Sequence, residues 1–156
     1  VRTTVLVEPI KPKALLAHVT KLRQSHGVSF LSSQQGTIGT LFKCLHRGEA
    51  VLFASDRDID KNGLPVTFFG KETTLPTIAV RIAMKTGAAL VPIFSRRIDG
   101  KCEVNLEQAI EMAGRGSDAV VADNVERVAR VMENHIGRCP EQWVMSRPIW
   151  PNLVSA

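Results

Sequence analysis

The chain has 156 residues, of which 44% are hydrophobic and 22% are charged, a composition typical of a globular domain and not of a disordered chain. Twenty Lys and Arg against fifteen Asp and Glu give a net charge of +5, which favours an anionic partner. The basic residues are scattered, Tyr is absent and no apolar run is long enough to cross a bilayer, so we expect neither a nucleic-acid-binding surface nor a membrane-spanning helix.

The predicted elements alternate between strands and helices from the start of the chain. Residues 3–7 are rich in β-branched side chains and predict a strand, and apolar residues at helical spacing over 14–22 predict a helix. A short strand is predicted over 28–31, and a helix over 37–46 that ends before Gly48. Because the chain opens inside a predicted strand, we expect it to be a fragment of a longer protein.

The middle of the chain is the stretch around which the prediction is organised. An apolar strand over 51–54 leads into a loop that opens with Asp56 and Asp58. A helix is predicted from about residue 74, capped by Thr73 or Thr74. Polar groups therefore gather at the carboxyl end of a strand, where open α/β sheets place their ligands.

The last third of the chain predicts a hairpin followed by a long helix. Strands are predicted over 88–95 and 101–106, joined by a turn at Asp99-Gly100 whose chemistry favours a hairpin. Asp118 is expected to begin the long helix. Strands separated by helices predict an α/β fold, a mainly parallel or mixed open sheet with helices on both faces, in one domain over residues 1–156.

The acidic loop also matches the first half of a calcium-binding loop. Asp58, Asp60, Asn62 and Gly63 fit the pattern D-x-D-x-N-G, but the twelfth position is Phe69 instead of a bidentate Glu. An α/β domain that binds Mg²⁺ or Ca²⁺ through the Asp58/Asp60 loop is therefore one alternative function. A solvated loop with no ligand is the structural alternative.

An ordered set of short motifs resembles one protein family. The set is Leu22-Arg23-x-x-x-Gly27, Arg47-Gly48-Glu49, Asp56-x-Asp58 with Gly63, Pro65-Val66-x-Phe68-Phe69-Gly70, Thr73-Thr74, Val91-Pro92, Arg96-Arg97, and Pro140-Glu141-Gln142-Trp143 with a later Arg and Trp. Over residues 5–150, in this order and spacing, the chain resembles the carboxyl-terminal part of the bacterial lipid A biosynthesis lauroyl/myristoyl acyltransferase family. The phosphatidylinositol mannoside acyltransferases share this pattern.

The resemblance implies a glycerolipid acyltransferase-like fold and an acyl-transfer reaction. A fatty acyl group would move from an acyl carrier protein or coenzyme A thioester to a hydroxyl of an anionic glycolipid, without a cofactor, at the cytoplasmic face of the membrane, where the protein would be peripheral. The family's general base is the His of a His-x4-Asp/Glu motif, and none of His18, His26, His46 and His135 has an acidic residue at that spacing. We therefore expect the base upstream and this chain to be inactive alone.

The resemblance also implies a set of substrate-binding residues. The arginines suit phosphate or another anionic group, and the adjacent phenylalanines and glycine would line a trough for the acyl chain. The two carboxylates would either position the acceptor or organise neighbouring arginines. Core packing of at least one phenylalanine and plain solvent exposure of the arginines are the structural alternatives. The set is Arg23, Asp56, Asp58, Phe68, Phe69, Gly70, Arg96 and Arg147.

The tail departs from the lipid A branch of the family. That branch commonly continues from Pro-Glu-Gln-Tyr/Trp into His-Arg-Arg, whereas residues 144–150 read VMSRPIW. This puts lipid A in doubt as the acceptor and leaves a mannolipid or another glycolipid open. Trp143 and Trp150 are expected either near the membrane interface or packed against the sheet. A non-catalytic domain of the same descent, which binds an anionic lipid or an acyl carrier, is a further alternative.

Overall fold

The computed structural model confirms the predicted α/β class and divides the chain into two compact units, residues 1–54 and 55–156. Their union in one domain stays a prediction. The structure describes residues 1–7, 15, 18–19, 21–22, 28–32, 36–114, 116–145 and 147–150.

The first unit contains a parallel three-stranded sheet and a helix. Strand β1 (Thr3–Val7) is central, with β2 (Ser29–Ser32) on one side and β3 (Ala50–Leu52) on the other. Helix α1 (Thr37–His46) precedes β3 and has the bounds that the sequence predicts. The three predicted strands are also confirmed, with ends that differ by one or two residues.

The apolar side of α1 is buried in the first unit. Leu41 and Cys44 are almost fully inaccessible, and Cys44 Sγ lies 3.8 Å from the hydroxyl of the buried Thr4 on β1. Within the predicted helix over 14–22, the described residues are helical. They are Leu15, His18, Val19, Lys21 and Leu22.

The second unit contains two antiparallel hairpins. Strand β4 (Leu64–Phe68) pairs with β5 (Lys71–Leu75), and β6 (Ile93–Ile98) pairs with β7 (Lys101–Leu106). Each loop has two residues, and both have positive φ, 50° and 72° in the first and 48° and 76° in the second. Positive φ at both central residues is what a type I′ hairpin turn requires. The hairpin predicted at Asp99-Gly100 is therefore confirmed.

A helix does follow the first hairpin, but its predicted start at about residue 74 and its predicted caps are wrong, because Thr73 and Thr74 lie in β5. Thr73 and Leu75 are buried at alternating positions of β5, where they pair with the buried Val66 and with Leu64 of β4, so cross-strand packing determines the conformation of this segment. Helix α2 (Ile78–Thr86) begins later, after Thr77.

The predicted strand over residues 88–95 also begins too early. Strand β6 starts at residue 93, and before it only Leu90 pairs, in an isolated bridge with Ile110.

The core of the second unit lies between helix α3 (Asp118–Ile136) and the first hairpin. The helix begins at Asp118 as predicted, with the hydroxyl of Ser117 accepting from the Val120 N–H at 3.4 Å. Its buried residues recur at helical spacing and pack with those of the hairpin and of α2. The core residues are Val66, Phe68, Leu75, Val80, Val121, Val125, Ala129, Met132 and Ile136. Among the residues that the structure describes, no helix is long and apolar enough to span a membrane.

Candidate substrate-binding site

Four aromatic side chains that are far apart in the sequence form an aromatic cluster in the second unit. They are Phe68 and Phe69 of the hairpin β4–β5, and Trp143 and Trp150 of the tail that follows α3. Phe68 is at its centre, with ring centroids 4.8 Å from Phe69, 5.8 Å from Trp143 and 6.2 Å from Trp150. Such aromatic pairs contribute about 0.5–1.5 kcal/mol each beyond the area that they bury. Phe68 is fully buried in the core, whereas 39% of Phe69 is exposed to solvent. Of the two adjacent rings, Phe69 is therefore the one that a ligand can reach.

Both indole N–H groups have partners in the second unit. Trp150 donates to the carbonyl oxygen of Phe68 at 3.0 Å, and Trp143 donates to Asp56 Oδ2 at 3.4 Å. The hydroxyl of Thr73 donates to the carbonyl of Ile149, which also joins the tail to the hairpin β4–β5. Of the two alternatives that the sequence leaves for the indoles, the structure shows packing, and this packing brings Asp56 to the aromatic cluster.

Phe69 has an unusual backbone conformation. Its φ of 50° lies in the left-handed region, which costs a residue with a side chain about 1–2 kcal/mol, whereas Gly70 adopts φ 72° freely. The Phe69 N–H donates to the carboxylate of Glu133 on α3, which helps to hold the turn. A strained, half-exposed aromatic residue at a turn is an observation that points to a functional role.

Asp58 is held by its own loop. Its Oδ1 accepts from the Asn62 N–H at 3.3 Å, and its Oδ2 accepts from the Gly63 N–H at 3.0 Å and the Thr74 hydroxyl at 2.8 Å. Gly63 has no room for a side chain, because a Cβ would clash with the backbone carbonyl of Leu75 and lie 2.8 Å from Asp58 Oδ2. The carboxylate of Asp58 thus closes the loop against β5.

The predicted arginines differ in what the structure shows of them. Arg96 lies on β6 and donates to Glu103 Oε1 on β7 through Nη2 at 2.7 Å and Nε at 3.1 Å. This hydrogen bond from Arg96 is the main cause that lowers the pKa of Glu103, and the carboxylate in turn raises the pKa of Arg96. Arg147 is exposed in the tail, and Arg23 lies outside the described residues.

The metal alternative receives no support from the described part of the chain. There, no group of three or more His, Cys, Asp and Glu side chains is close enough to hold a metal ion. Both oxygens of Asp58 accept hydrogen bonds from the loop, and Asp60 is exposed.

Side chains that the sequence analysis did not single out hold the edges of both hairpins. Gln142 accepts from the Arg97 N–H at 2.6 Å and donates to the Arg97 carbonyl at 3.1 Å, as a neighbouring strand would. Glu126 on α3 accepts from the Thr67 N–H at 2.9 Å. The Pro-Glu-Gln-Trp motif was the available signal for Gln142, which lies next to Trp143.

The first unit has an open cavity of about 430 Å³ that the sequence analysis did not predict. Its lining includes residues at the amino ends of the parallel strands and an ion pair, in which Arg47 donates to Glu49 at 2.9 and 3.1 Å. The hydrogen bond from Arg47 lowers the pKa of Glu49. Ligands of open α/β sheets bind at the carboxyl ends of strands, so this cavity lies at the end where they are not expected.

Comparison with known proteins agrees with the motifs. A family model described as bacterial lipid A biosynthesis acyltransferase matches residues 2–151. The chain is similar to a phosphatidylinositol mannoside acyltransferase of Mycobacterium tuberculosis (strain ATCC 25618 / H37Rv), with 26% identity over 150 residues, 94% of this chain and 46% of that protein. For the protein of the same name in Mycolicibacterium smegmatis, the values are 24%, 94% and 48%. The chain thus spans just under half the length of these relatives.

Proposed function

Because the chain belongs to the bacterial lipid A biosynthesis acyltransferase family, we propose that it is the carboxyl-terminal, substrate-binding part of a glycolipid O-acyltransferase. A hydroxyl oxygen of the glycolipid attacks the carbonyl carbon of an acyl thioester, the hydroxyl proton passes to a general base, and the thiol leaves. The base is supplied from outside this chain, since none of its histidines satisfies His-x4-Asp/Glu. The family match over residues 2–151 is the observation that carries this proposal.

The aromatic cluster is proposed to contact the acyl chain. The ring of Phe69 is exposed, and Gly70 next to it has no side chain that would block access. The buried ring of Phe68 packs against Phe69, with centroids 4.8 Å apart. Each methylene buried against such a surface contributes about 0.8 kcal/mol to binding. The strain at Phe69 supports this role, because a glycine at this position would adopt the same φ without strain.

Asp56 is proposed to bind hydroxyl groups of the acceptor. Its carboxylate follows β3 in the chain, and the hydrogen bond from Trp143 fixes its position. A sugar hydroxyl donates well to a carboxylate, and hydrogen bonds to charged groups contribute about 1.5–3 kcal/mol. Asp58 acts on the site indirectly, by holding the loop that follows Asp56.

Arg23 and Arg147 are proposed to bind the anionic part of the substrates. A guanidinium can donate two parallel hydrogen bonds to a phosphate. Arg96 is assigned to the hairpin β6–β7, since Glu103 already accepts two of its hydrogen bonds.

The family supports a proposal for the donor, the acceptor and the location. We propose acyl carrier protein or coenzyme A thioesters as donors and, given the names of the relatives, a mannolipid as acceptor. The protein would act at the cytoplasmic membrane face as a peripheral protein.

The test is acyl transfer by the intact protein that carries this chain. It is incubated with acyl-coenzyme A or acyl-acyl carrier protein and with a phosphatidylinositol mannoside or a lipid A precursor, and products are followed by mass spectrometry. An acylated glycolipid is the expected result. Binding of lipid or acyl carrier without transfer would overturn the proposal and favour a non-catalytic domain that binds an anionic lipid or carrier, the second candidate, which the net charge of +5 fits.

A further inference from the structure

The hairpin β6–β7 has two faces of opposite character. Its inner face packs on α3, where the ring of Phe94 stacks on His135 with centroids 3.9 Å apart. The side chains of the other face, called the outer face, are all exposed. They are Ile93, Ser95, Arg97, Cys102, Val104 and Leu106, three cross-strand pairs in register.

The outer face is apolar at one end. Ile93 and Leu106 form a direct pair and are 46% and 69% exposed, and Val104 in the next pair is 55% exposed. Burial of these aliphatic side chains away from water is favourable by about 25 cal/mol per Å² of apolar surface. Contiguous exposed apolar residues of this kind mark an interaction surface.

The charges of the hairpin are divided between its faces. Near the inner face, Glu103 forms an ion pair with Arg96, and Glu107 Oε1 lies 3.5 Å from His135 Nδ1. Arg97 is the one charged residue of the outer face, and its guanidinium makes no hydrogen bond or ion pair in the described part of the chain. The outer face therefore combines aliphatic side chains with one positive charge and carries no carboxylate.

We propose that the outer face of the hairpin β6–β7 docks on an anionic lipid bilayer. Aliphatic side chains enter the boundary between headgroups and acyl chains, and Arg97 meets lipid phosphate, the combination that binds peripheral proteins to anionic membranes. This inference deepens the proposed function, because it identifies the surface that brings the chain to its lipid acceptor.

Side-chain contacts hold the hairpin β6–β7 at its edge and across its inner face. Gln142 fixes the Arg97 backbone, and Arg96 and Glu103 join the two strands from the inner face. Contact through the outer face presents Ile93, Val104 and Leu106 together.

The test measures binding of the intact protein to vesicles of phosphatidylcholine and phosphatidylglycerol at 70:30, by co-sedimentation, against phosphatidylcholine alone. We expect the double variant Val104→Thr/Leu106→Thr to weaken binding at least tenfold, because it replaces two aliphatic side chains by polar ones. Threonine is β-branched and favours strands, so the hairpin should keep its fold. Arg97→Gln should weaken binding about fivefold at low salt, which corresponds to ~1 kcal/mol per basic residue, and less at high salt.

Two matched variants serve as controls. Val144→Thr alters an aliphatic residue that is 86% exposed outside the hairpin, and Arg130→Gln removes an exposed cation on α3. Both should bind vesicles like the wild type, and all variants should unfold at the wild-type temperature. Unchanged binding of the double variant, or an equal loss in the controls, would overturn the proposal and leave the face to a protein partner. Acyl transfer is a separate readout, so absence of transfer with normal vesicle binding would reject the proposed function alone.

Discussion

Asp58 and Thr74 are joined by a 2.8 Å hydrogen bond between Oδ2 and Oγ1, although sixteen residues separate them in the chain. The same carboxylate accepts the N–H groups of Asn62 and Gly63, so one side chain closes the loop and attaches it to β5. The loop that follows Asp56 therefore takes its conformation from Asp58.

Asp58→Asn should destabilise the protein. The amide that replaces one oxygen of the carboxylate cannot accept a hydrogen bond, and loss of a charged acceptor costs about 1.5–3 kcal/mol. Urea unfolding of the intact protein measures the change. Asp60→Asn, at an exposed position of the same loop, should remain within about 0.5 kcal/mol of the wild type. Equal stabilities for the two variants would show that Asp58 does not hold the loop.

Gly63→Ala should lower the free energy of unfolding by more than about 2 kcal/mol. The new Cβ would clash with the backbone carbonyl of Leu75, and no side-chain rotation can relieve that clash. Its control is Gly39→Ala in α1, where a Cβ would meet no atom within 4 Å. That change should stabilise the protein by about 0.4–1 kcal/mol, since alanine favours the helix. Thermal unfolding compares the two, and a Gly63→Ala variant as stable as the wild type would contradict the close approach.

The two hairpins show what the sequence can and cannot predict. Asp99-Gly100 was recognised because Asp and Gly readily adopt positive φ, and the hairpin formed. Phe69-Gly70 makes the same kind of turn, but phenylalanine seldom adopts positive φ, so nothing local indicated it. The local sequence favours a helix-cap role for Thr73 and Thr74, whereas pairing with β4 and burial of Thr73 place both in a strand.

The candidate substrate-binding site shows the same limit of prediction from sequence. Asp56, Phe69 and Gly70 were identified through motifs, and the structure brings them together with Trp143. The role of Gln142 depends on a contact with Arg97, 45 residues away, which neither spacing nor propensity reveals. Helix α1 was predicted to the residue because its periodicity and its ending are local signals.

Phe69→Asn separates the ligand role of Phe69 from its role in the turn. Asparagine tolerates positive φ, and Asn-Gly is a favoured type I′ turn, so removal of the strain should offset much of the lost ring packing. We expect stability within about 1 kcal/mol of the wild type and a smaller preference for long acyl donors, each unmatched methylene being worth about 0.8 kcal/mol. Acyl-transfer rates across donors of increasing length measure this preference. A preference that matches the wild type would assign Phe69 to packing alone.

The ion pair between Arg96 and Glu103 in the hairpin β6–β7 makes the free energy of unfolding depend on pH. The hydrogen bonds from Arg96 and Asn105 lower the pKa of Glu103, so its contribution to stability is fully present above pH 4.5, the ordinary pKa, and is lost as pH falls below that value. Glu103→Gln should therefore be less stable than the wild type at pH 7, with a difference that shrinks towards pH 3. The exposed Glu72→Gln, on β5, is the control, and urea unfolding at both pH values gives the comparison. A difference independent of pH would exclude the ion pair as its cause.

The central claim is that Asp56, fixed by Trp143 at the aromatic cluster, binds the acceptor of an acyl-transfer reaction. Asp56→Asn tests it most directly, because the amide oxygen can still accept from Trp143 while the charge is lost. We measure kcat/KM of the intact protein for the glycolipid acceptor, with the unfolding temperature as a control of the fold. The account predicts a decrease of at least tenfold, about 1.4 kcal/mol, at an unchanged unfolding temperature. A kcat/KM equal to that of the wild type would contradict it.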